Sequence, residues 1–204
     1  MDRVEGLPVS PRGLANDDEA GEGRRLTGMQ LPDVSLHSTD GAVTNVSKLR
    51  DPAVLFFYPM MGSPDRPPPE GWGDIPGARG CTSQACNLRD NISRIYHLGI
   101  QQILGISSQG RQEQIEAVER LGLPYALVSD ANFEIADRLR LPTFRVGELR
   151  YHRRLSLLVK DARIEHVFYP VVSPDRHAEE ITNFLEVRGR RRARFKDADA
   201  GHSG

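Results

Sequence analysis

Only two cysteines occur in the 204 residues, too few for a disulfide framework, so stability has to come from a hydrophobic core. Aromatic residues make up 6% of the chain and hydrophobic residues 38%, a modest share which implies that part of the chain stays outside that core. Long apolar runs are missing: the longest, Ala53 to Tyr58, is far too short to cross a bilayer, and no membrane association is expected. Neither sign of charge dominates. The formal net charge is −1, which removes any global pull toward nucleic acid or acidic membranes. The N-terminus is acidic and glycine-rich, without the basic start and apolar stretch of a secretory signal, so a cytoplasmic location is expected. Walker loops, zinc-type His/Cys spacings and Gly-x-Ser-x-Gly elbows are missing as well. Gly71-Trp-Gly-Asp-Ile-Pro-Gly77 lies between a strand and a helix, but its spacing is wrong for a dinucleotide loop and it contains a proline.

What remains is a chain with loose ends and a patterned middle. Residues 1–25 mix Asp, Glu, Gly, Pro and Asn without an apolar period, and read as a disordered acidic extension. Residues 188–204 hold a basic cluster (Arg188, Arg190, Arg191, Arg192, Arg194, Lys196) that fades into Gly, Asp and Ser, and read as a disordered, solvated tail rather than a nucleic-acid arm. The middle, 26–187, forms one domain. Val34 to Leu36 and Val43 to Val46 flank Thr39-Asp40-Gly41, a turn signal that predicts an N-terminal β-hairpin. Ala53 to Tyr58 is a continuous apolar run, the mark of a strand covered on both faces. After a Pro/Gly-rich loop, Cys81 to about Leu98 reads as a helix, then Ile103 to Ile106 as a strand and Arg111 to Leu121 as an amphipathic helix. A short strand (Tyr125 to Val128), a short helix (Phe133 to Leu139), an antiparallel pair (Leu155 to Val159, Arg163 to Phe168) and a last helix (Asp175 to Val187) complete the pattern. Strand–helix alternation closing in a hairpin and helix predicts an α/β sandwich with a mostly buried sheet.

The chemistry-bearing segment is Pro76-Gly-Ala-Arg-Gly-Cys81-Thr-Ser-Gln-Ala-Cys86. A Pro/Gly loop delivers the chain to a helix whose first turn carries Cys81. Free backbone N–H groups and the helix dipole stabilise an anion there, and a thiolate is such an anion. Arg79 is a further source of positive charge. The residues alone leave two readings open, because a free cysteine also serves as a small buried hydrophobe, and that is the default for Cys86.

Gly80-Cys-Thr-Ser-Gln-Ala-Cys-Asn-Leu-Arg-Asp90 resembles the active-site helix of peroxiredoxins, in particular the Q-type or bacterioferritin-comigratory-protein branch. Leu31-Pro-Asp33, Phe57-Tyr-Pro59, Leu104-Gly-Ile-Ser107, Arg154-Leu-Ser156 and Ile164-Glu-His-Val-Phe168 extend the resemblance from about Leu31 to Val187. It implies a thioredoxin-like α/β sandwich of a mixed central sheet with flanking helices. It further implies Cys81 as the peroxidatic and Cys86 as the resolving cysteine, with Arg154 as the distal arginine and Thr82 and Gln84 beside the site. Arg153 is the competing register for Arg154. Two departures stand out. Ala78 occupies the position where the family has Thr or Ser, and Arg79 a common proline position, with an insertion of roughly Met60 to Ala78 before the helix. Ser63 and Thr82 are the candidates to replace the missing hydroxyl.

The implied reaction is reduction of hydrogen peroxide or an organic hydroperoxide through a sulfenic acid and an intramolecular disulfide. Thioredoxin or a similar dithiol would recycle the enzyme by exchange. No metal, haem or nucleotide cofactor is implied, and a monomer or weak homodimer is expected. The alternative is a non-enzymatic thiol redox sensor or interaction protein on the same fold. A disulfide oxidoreductase of thioredoxin type would want Cys-x-x-Cys, whereas this chain has four residues between its cysteines.

Overall fold

The computed structural model describes Gly21 and residues 24–200, with 192–200 as backbone alone. Five strands form the central sheet in the order β5-β4-β3-β8-β9: β3 (Ala53–Phe57), β4 (Gln102–Ser107), β5 (Ala126–Ser129), β8 (Leu155–Lys160) and β9 (Arg163–Phe168). The β3/β4 and β4/β5 pairs are parallel, while β3/β8 and β8/β9 are antiparallel, so the sheet is mixed as expected. The predicted N-terminal hairpin is present as β1 (Ser35–His37) against β2 (Val43–Asn45).

The apolar run of β3 follows from its central place. Ala53, Leu55 and Phe57 enter a core that contains Leu36, Leu104, Ile106 and Leu157. Val54, Phe56 and Tyr58 enter the opposite core, with Cys81, Ala85, Leu88 and Ile103. Strand residues alternate sides, so a strand covered twice must be apolar at every position. On β8 the same parity sends Leu155 and Leu157 to the first core and Leu158 to the second. Arg154 and Ser156 therefore lie on the Cys81 side. Among the described residues, no helix is long and apolar enough to cross a membrane.

Among the described residues after 26, the α-helices flanking the sheet are α1 (Cys81–Asp90), α2 (Ile92–His97), α3 (Arg111–Leu121), α4 (Glu134–Leu139) and α5 (His177–Ala200). Three expectations need correction. The single helix predicted from Cys81 to Leu98 is two, broken at Asn91, whose Nδ2 donates to the Asn87 carbonyl at 2.9 Å. Such a local side-chain bond competes with helix continuation. The last helix does not end at Val187; it runs to Ala200, through most of the segment read as a disordered tail. Arginine, alanine and lysine are strong helix formers, and Arg188 pairs with Glu165 at 2.6 Å on the way. Arg25, read as part of the disordered extension, belongs to the domain: its guanidinium donates to the carbonyls of Leu139 (3.0 Å) and Arg140 (2.7 Å) at the end of α4. The rest of that extension, apart from Gly21 and Arg24, and residues 201–204 lie outside the described residues.

The sequence reading also missed a hairpin, β6 (Thr143–Val146) with β7 (Leu149–His152). Its last residue, His152, is buried between Phe57 (5.5 Å between rings) and Phe133 (5.1 Å). Its Nε2 faces the buried Asp130 carboxylate at 3.5 Å. Burial pushes the imidazole down to about 3. Burial also pushes the Asp130 carboxyl up to about 6, although the Ile135 and Ala136 N–H groups donate to it at 3.2 and 3.3 Å. Near neutral pH this is a carboxylate against a neutral imidazole, not an ion pair.

Their linkages to folding oppose each other. Unfolded histidine binds a proton below about 6.5, which the folded His152 refuses, so its contribution is present above that value and is lost on acidification toward 3. Asp130 does the reverse, since the folded carboxyl holds a proton up to about 6 that the unfolded one releases near 4. In Asp130→Asn only the histidine slope remains, and stability should rise with pH between about 4 and 6 by roughly 1 kcal/mol per unit more than in wild type. His152→Phe should tilt the other way over the same window. Urea melts at several pH values decide it; parallel pH profiles for all three proteins would refute the assignment.

Candidate active site

Helix α1 starts beyond the carboxyl end of β3, where open α/β sheets form their crevices. Its first residue is Cys81, 3% exposed. Gln84 N–H is the first in the helix to find a carbonyl one turn back, Gly80 O at 2.9 Å. The earlier N–H groups of the turn have no acceptor within the helix.

Two constraints fix how the chain enters this helix. Gly80 has φ of 96°, in the left-handed region that side chains avoid. A Cβ there would also lie 2.5 Å from Pro174 Cγ, so the helix start and the turn before α5 approach within glycine distance. Gly77, three residues earlier, has φ of 80°. The preceding loop is anchored by an aromatic cluster: Trp72 packs on Tyr151 (4.9 Å) and Phe144 (5.8 Å) of the β6–β7 hairpin, with Ala78 buried among them. Nothing in the sequence marked this cluster, because the partners of Trp72 lie more than 70 residues away on a hairpin of alternating, arginine-rich residues.

Arg154, 4% exposed, enters from the start of β8. Its Nη1 donates to Gln84 Oε1 at 2.6 Å. Its Nη2 has three acceptors in reach: Arg79 O (2.8 Å), Gly77 O (3.2 Å) and Cys81 Sγ (3.2 Å). One nitrogen with two hydrogens cannot serve three acceptors fully, so a thiolate, as the strongest of them, draws the charge-assisted share. The Cys81 thiol also sits 3.6 Å from the Ala78 carbonyl, which accepts from it when protonated. Arg154 Nε and Gln84 Nε2 are buried donors without a protein acceptor.

Cys81, Gln84 and Arg154 are thus brought into one hydrogen-bonded cluster. Arg153 is not part of it: its guanidinium lies 5.7 Å over the Phe144 ring, on the rim. Arg79 contributes its carbonyl, while its guanidinium turns over Gly73, where a Cβ would lie 2.3 Å from Nη2. Among the described residues, neither Thr82 nor Ser63 hydrogen bonds to Cys81; Ser63 bridges to Arg66 in the loop. Cys86 is half-buried on α1, and both cysteines are free. Beneath the site, buried His177 links Ser156 Oγ (2.8 Å) to Glu180 (2.9 Å), which ties β8 to the start of α5. A cleft of about 270 Å³ opens beside Arg154, with Pro76, Phe144, Val171 and Val172 among its walls.

Comparison with known proteins follows the same lines. Residues 26–185 match the family described as Redoxin. Peroxiredoxin Q, chloroplastic, of Oryza sativa subsp. japonica is 26% identical over 165 residues, which cover 80% of this chain and 68% of the relative. Peroxiredoxin Bcp of Escherichia coli (strain K12) is 28% identical over 164 residues, covering 76% of this chain and 92% of the relative. Peroxidoxin BcpB from Mycobacterium tuberculosis, a crystal structure, superposes with a TM-score of 0.64 at 27% identity, covering 79% of this chain and 96% of that one.

The close approach at Gly80 gives a direct test of the geometry. Gly80→Ala should destabilise the fold by roughly 1–3 kcal/mol, from the disfavoured φ and the clash with Pro174. It should also slow alkylation or oxidation of Cys81. Relieving the clash in Gly80→Ala/Pro174→Ala should recover part of the stability. A single variant with wild-type melting and wild-type thiol reactivity would contradict the packing described.

Proposed function

The chain belongs to the Redoxin family as a peroxiredoxin of the Q type and is a thiol-dependent peroxidase, and on that premise we propose that Cys81 attacks the peroxide and Cys86 resolves it. The observation that carries the assignment is the contact between Arg154 Nη2 and Cys81 Sγ, 3.2 Å, at a helix start. A thiolate there is held by a charged donor and by the N–H groups of the first turn, in surroundings from which water is largely excluded.

In the first step the Cys81 thiolate attacks one peroxide oxygen, a sulfur–oxygen bond forms and the O–O bond breaks. The departing oxygen takes a proton and leaves as water or an alcohol. The donors of Arg154 and of the helix start stabilise the charge that develops on it. Arg154 Nε and Gln84 Nε2 supply further donors with no protein acceptor to compete for them. In the second step the Cys86 sulfur attacks the Cys81 sulfenic acid, a disulfide forms and water leaves. A dithiol of the thioredoxin kind then restores both thiols by exchange.

The cleft beside Arg154 supports the substrate reading. Its apolar walls suit the carbon chain of an organic hydroperoxide, with the arginine at the reacting end, and hydrogen peroxide needs only the latter. The cytoplasmic location belongs to the same proposal.

Peroxide consumption with a recycling dithiol tests the assignment. Wild type should turn over, Cys81→Ser should be inactive, and Arg154→Met should fall by on the order of 10²-fold. Arg153→Met should stay near wild type with hydrogen peroxide, since its guanidinium lies on the rim. Activity retained in Arg154→Met, or a protein that reacts once and does not cycle, would contradict the mechanism.

A further inference from the structure

Helix α1 is fastened unevenly. Besides core packing, its first turn is joined to the rest of the molecule by side-chain hydrogen bonds through Arg154, which belongs to the reactive cluster. From Ala85 onward it is held by three side chains that have no part in that cluster. Tyr125 Oη, just before β5, donates to the Ala85 carbonyl at 2.7 Å. The Arg89 guanidinium donates to the carbonyl of Leu121 at the end of α3. Asn87 makes a two-point contact with the start of α5: its Oδ1 accepts from Ala178 N–H at 2.7 Å, and its Nδ2 donates to Glu179 Oε2 at 3.2 Å.

The first N–H groups of a helix have no acceptor inside it. The Asn87 side chain supplies one to α5 from another helix, and so fastens α1 to α5 by the residue next to Cys86. We propose that Asn87 is a positioning residue, which holds Cys86 stationary while the first turn of α1 uncoils, and so sets the rate at which Cys81 is resolved. This rests on the reading that Cys86 forms a disulfide with Cys81.

The geometry gives the direction of the effect. On a regular helix, residues five apart are separated by about 7.5 Å of axial rise and face different ways. Disulfides want Cα atoms about 4.4–6.8 Å apart. Cys81 is buried against the core and Cys86 half-exposed, so backbone has to move. Residues before Gln84 make no helical N–H bond, and Gly77 and Gly80 supply a pliable approach. The turn from Cys81 to Gln84 therefore yields, while Ala85 to Arg89 stays pinned. The Asn87 contacts lie beyond the part that uncoils, so removing them does not ease the uncoiling. It lets the Cys86 segment drift and lowers the effective concentration of the resolving thiol.

That rate competes with damage. The Cys81 sulfenic acid either condenses with Cys86 and loses water, or reacts with a second peroxide, which leaves as water or alcohol and takes the sulfur to the sulfinic acid. Slower resolution shifts the partition toward the sulfinic acid in proportion.

The test is a rapid-quench single turnover of the full, reduced chain with hydrogen peroxide, followed by mass spectrometry of the Cys81 and Cys86 peptides. Asn87→Ala should form sulfenic acid at the wild-type rate and the disulfide roughly 10- to 100-fold more slowly. The sulfinic fraction at a fixed peroxide excess should rise with it. Glu179→Ala, which leaves α1 untouched, should slow the disulfide step less, because the bond to Ala178 N–H survives. Asn87→Asp keeps that acceptor but repels Glu179, and should also fall between wild type and Asn87→Ala. Disulfide formation in Asn87→Ala as fast as wild type, or faster, overturns the proposal, a faster step meaning that the second half of the helix itself must uncoil. Cys86→Ser separates the premise: its sulfenic acid should persist, and decay at the wild-type disulfide rate would overturn the resolving role and the proposal together.

Discussion

A guanidinium buried at the floor of a reactive site is costly unless its N–H groups find acceptors, and much of the local structure answers that demand. Arg154 takes oxygen acceptors from Gln84, Arg79 and Gly77, and the fourth is the sulfur of Cys81. The two backbone carbonyls reach it only because the loop before α1 turns through left-handed glycines. That loop keeps its shape because Trp72 is wedged against Phe144 and Tyr151. Pro174 then closes on Gly80 from the α5 side, and His177 braces Ser156, two residues along β8 from Arg154. The thiol is thus the one partner of the arginine that is free to change chemically. A negative charge on sulfur improves the contact, and charge leaving it for a peroxide oxygen stays within reach of the same donors.

Under the proposed mechanism the same helix has to be rigid for one step and pliable for the next. Attack on peroxide wants Cys81 fixed at the helix start, whereas a bond to Cys86 wants that turn undone. The fastening pattern divides these roles along α1. The reactive turn depends for its side-chain hydrogen bonds on one arginine, while the following turns are secured to α3, to the residue before β5 and to α5 by Arg89, Tyr125 and Asn87.

Much of this was legible in the sequence, for reasons that differ by element. The doubly covered β3 announced itself because a central strand has no polar face to show. The Cys81 helix start was visible because Pro, Gly and Cys at that spacing carry local backbone meaning. Arg154 and not Arg153 faces the thiol because strand parity puts it on the side of Ser156 and Leu158. The sequence holds that information, although two adjacent arginines obscure it. What stayed hidden is non-local. The Trp72–Tyr151 contact, the buried Asp130–His152 pair and the Asn87–α5 clamp each join residues far apart in sequence, and each residue alone is ordinary for its element. The basic segment after Arg188 was misread because like charge suggests solvation, whereas helix propensity and the Glu165 pairing carried the helix onward.

In the proposed mechanism one peroxide is consumed by Cys81, and the oxidation then passes to a bond with Cys86 in the same chain. Mass spectrometry after one equivalent of hydrogen peroxide reads this directly in wild type and in Cys86→Ser. Wild type should yield an intramolecular disulfide joining the Cys81 and Cys86 peptides, and Cys86→Ser a sulfenic acid at Cys81. Oxidation first appearing on Cys86, or wild type remaining as a sulfenic acid without the internal disulfide, would contradict the account.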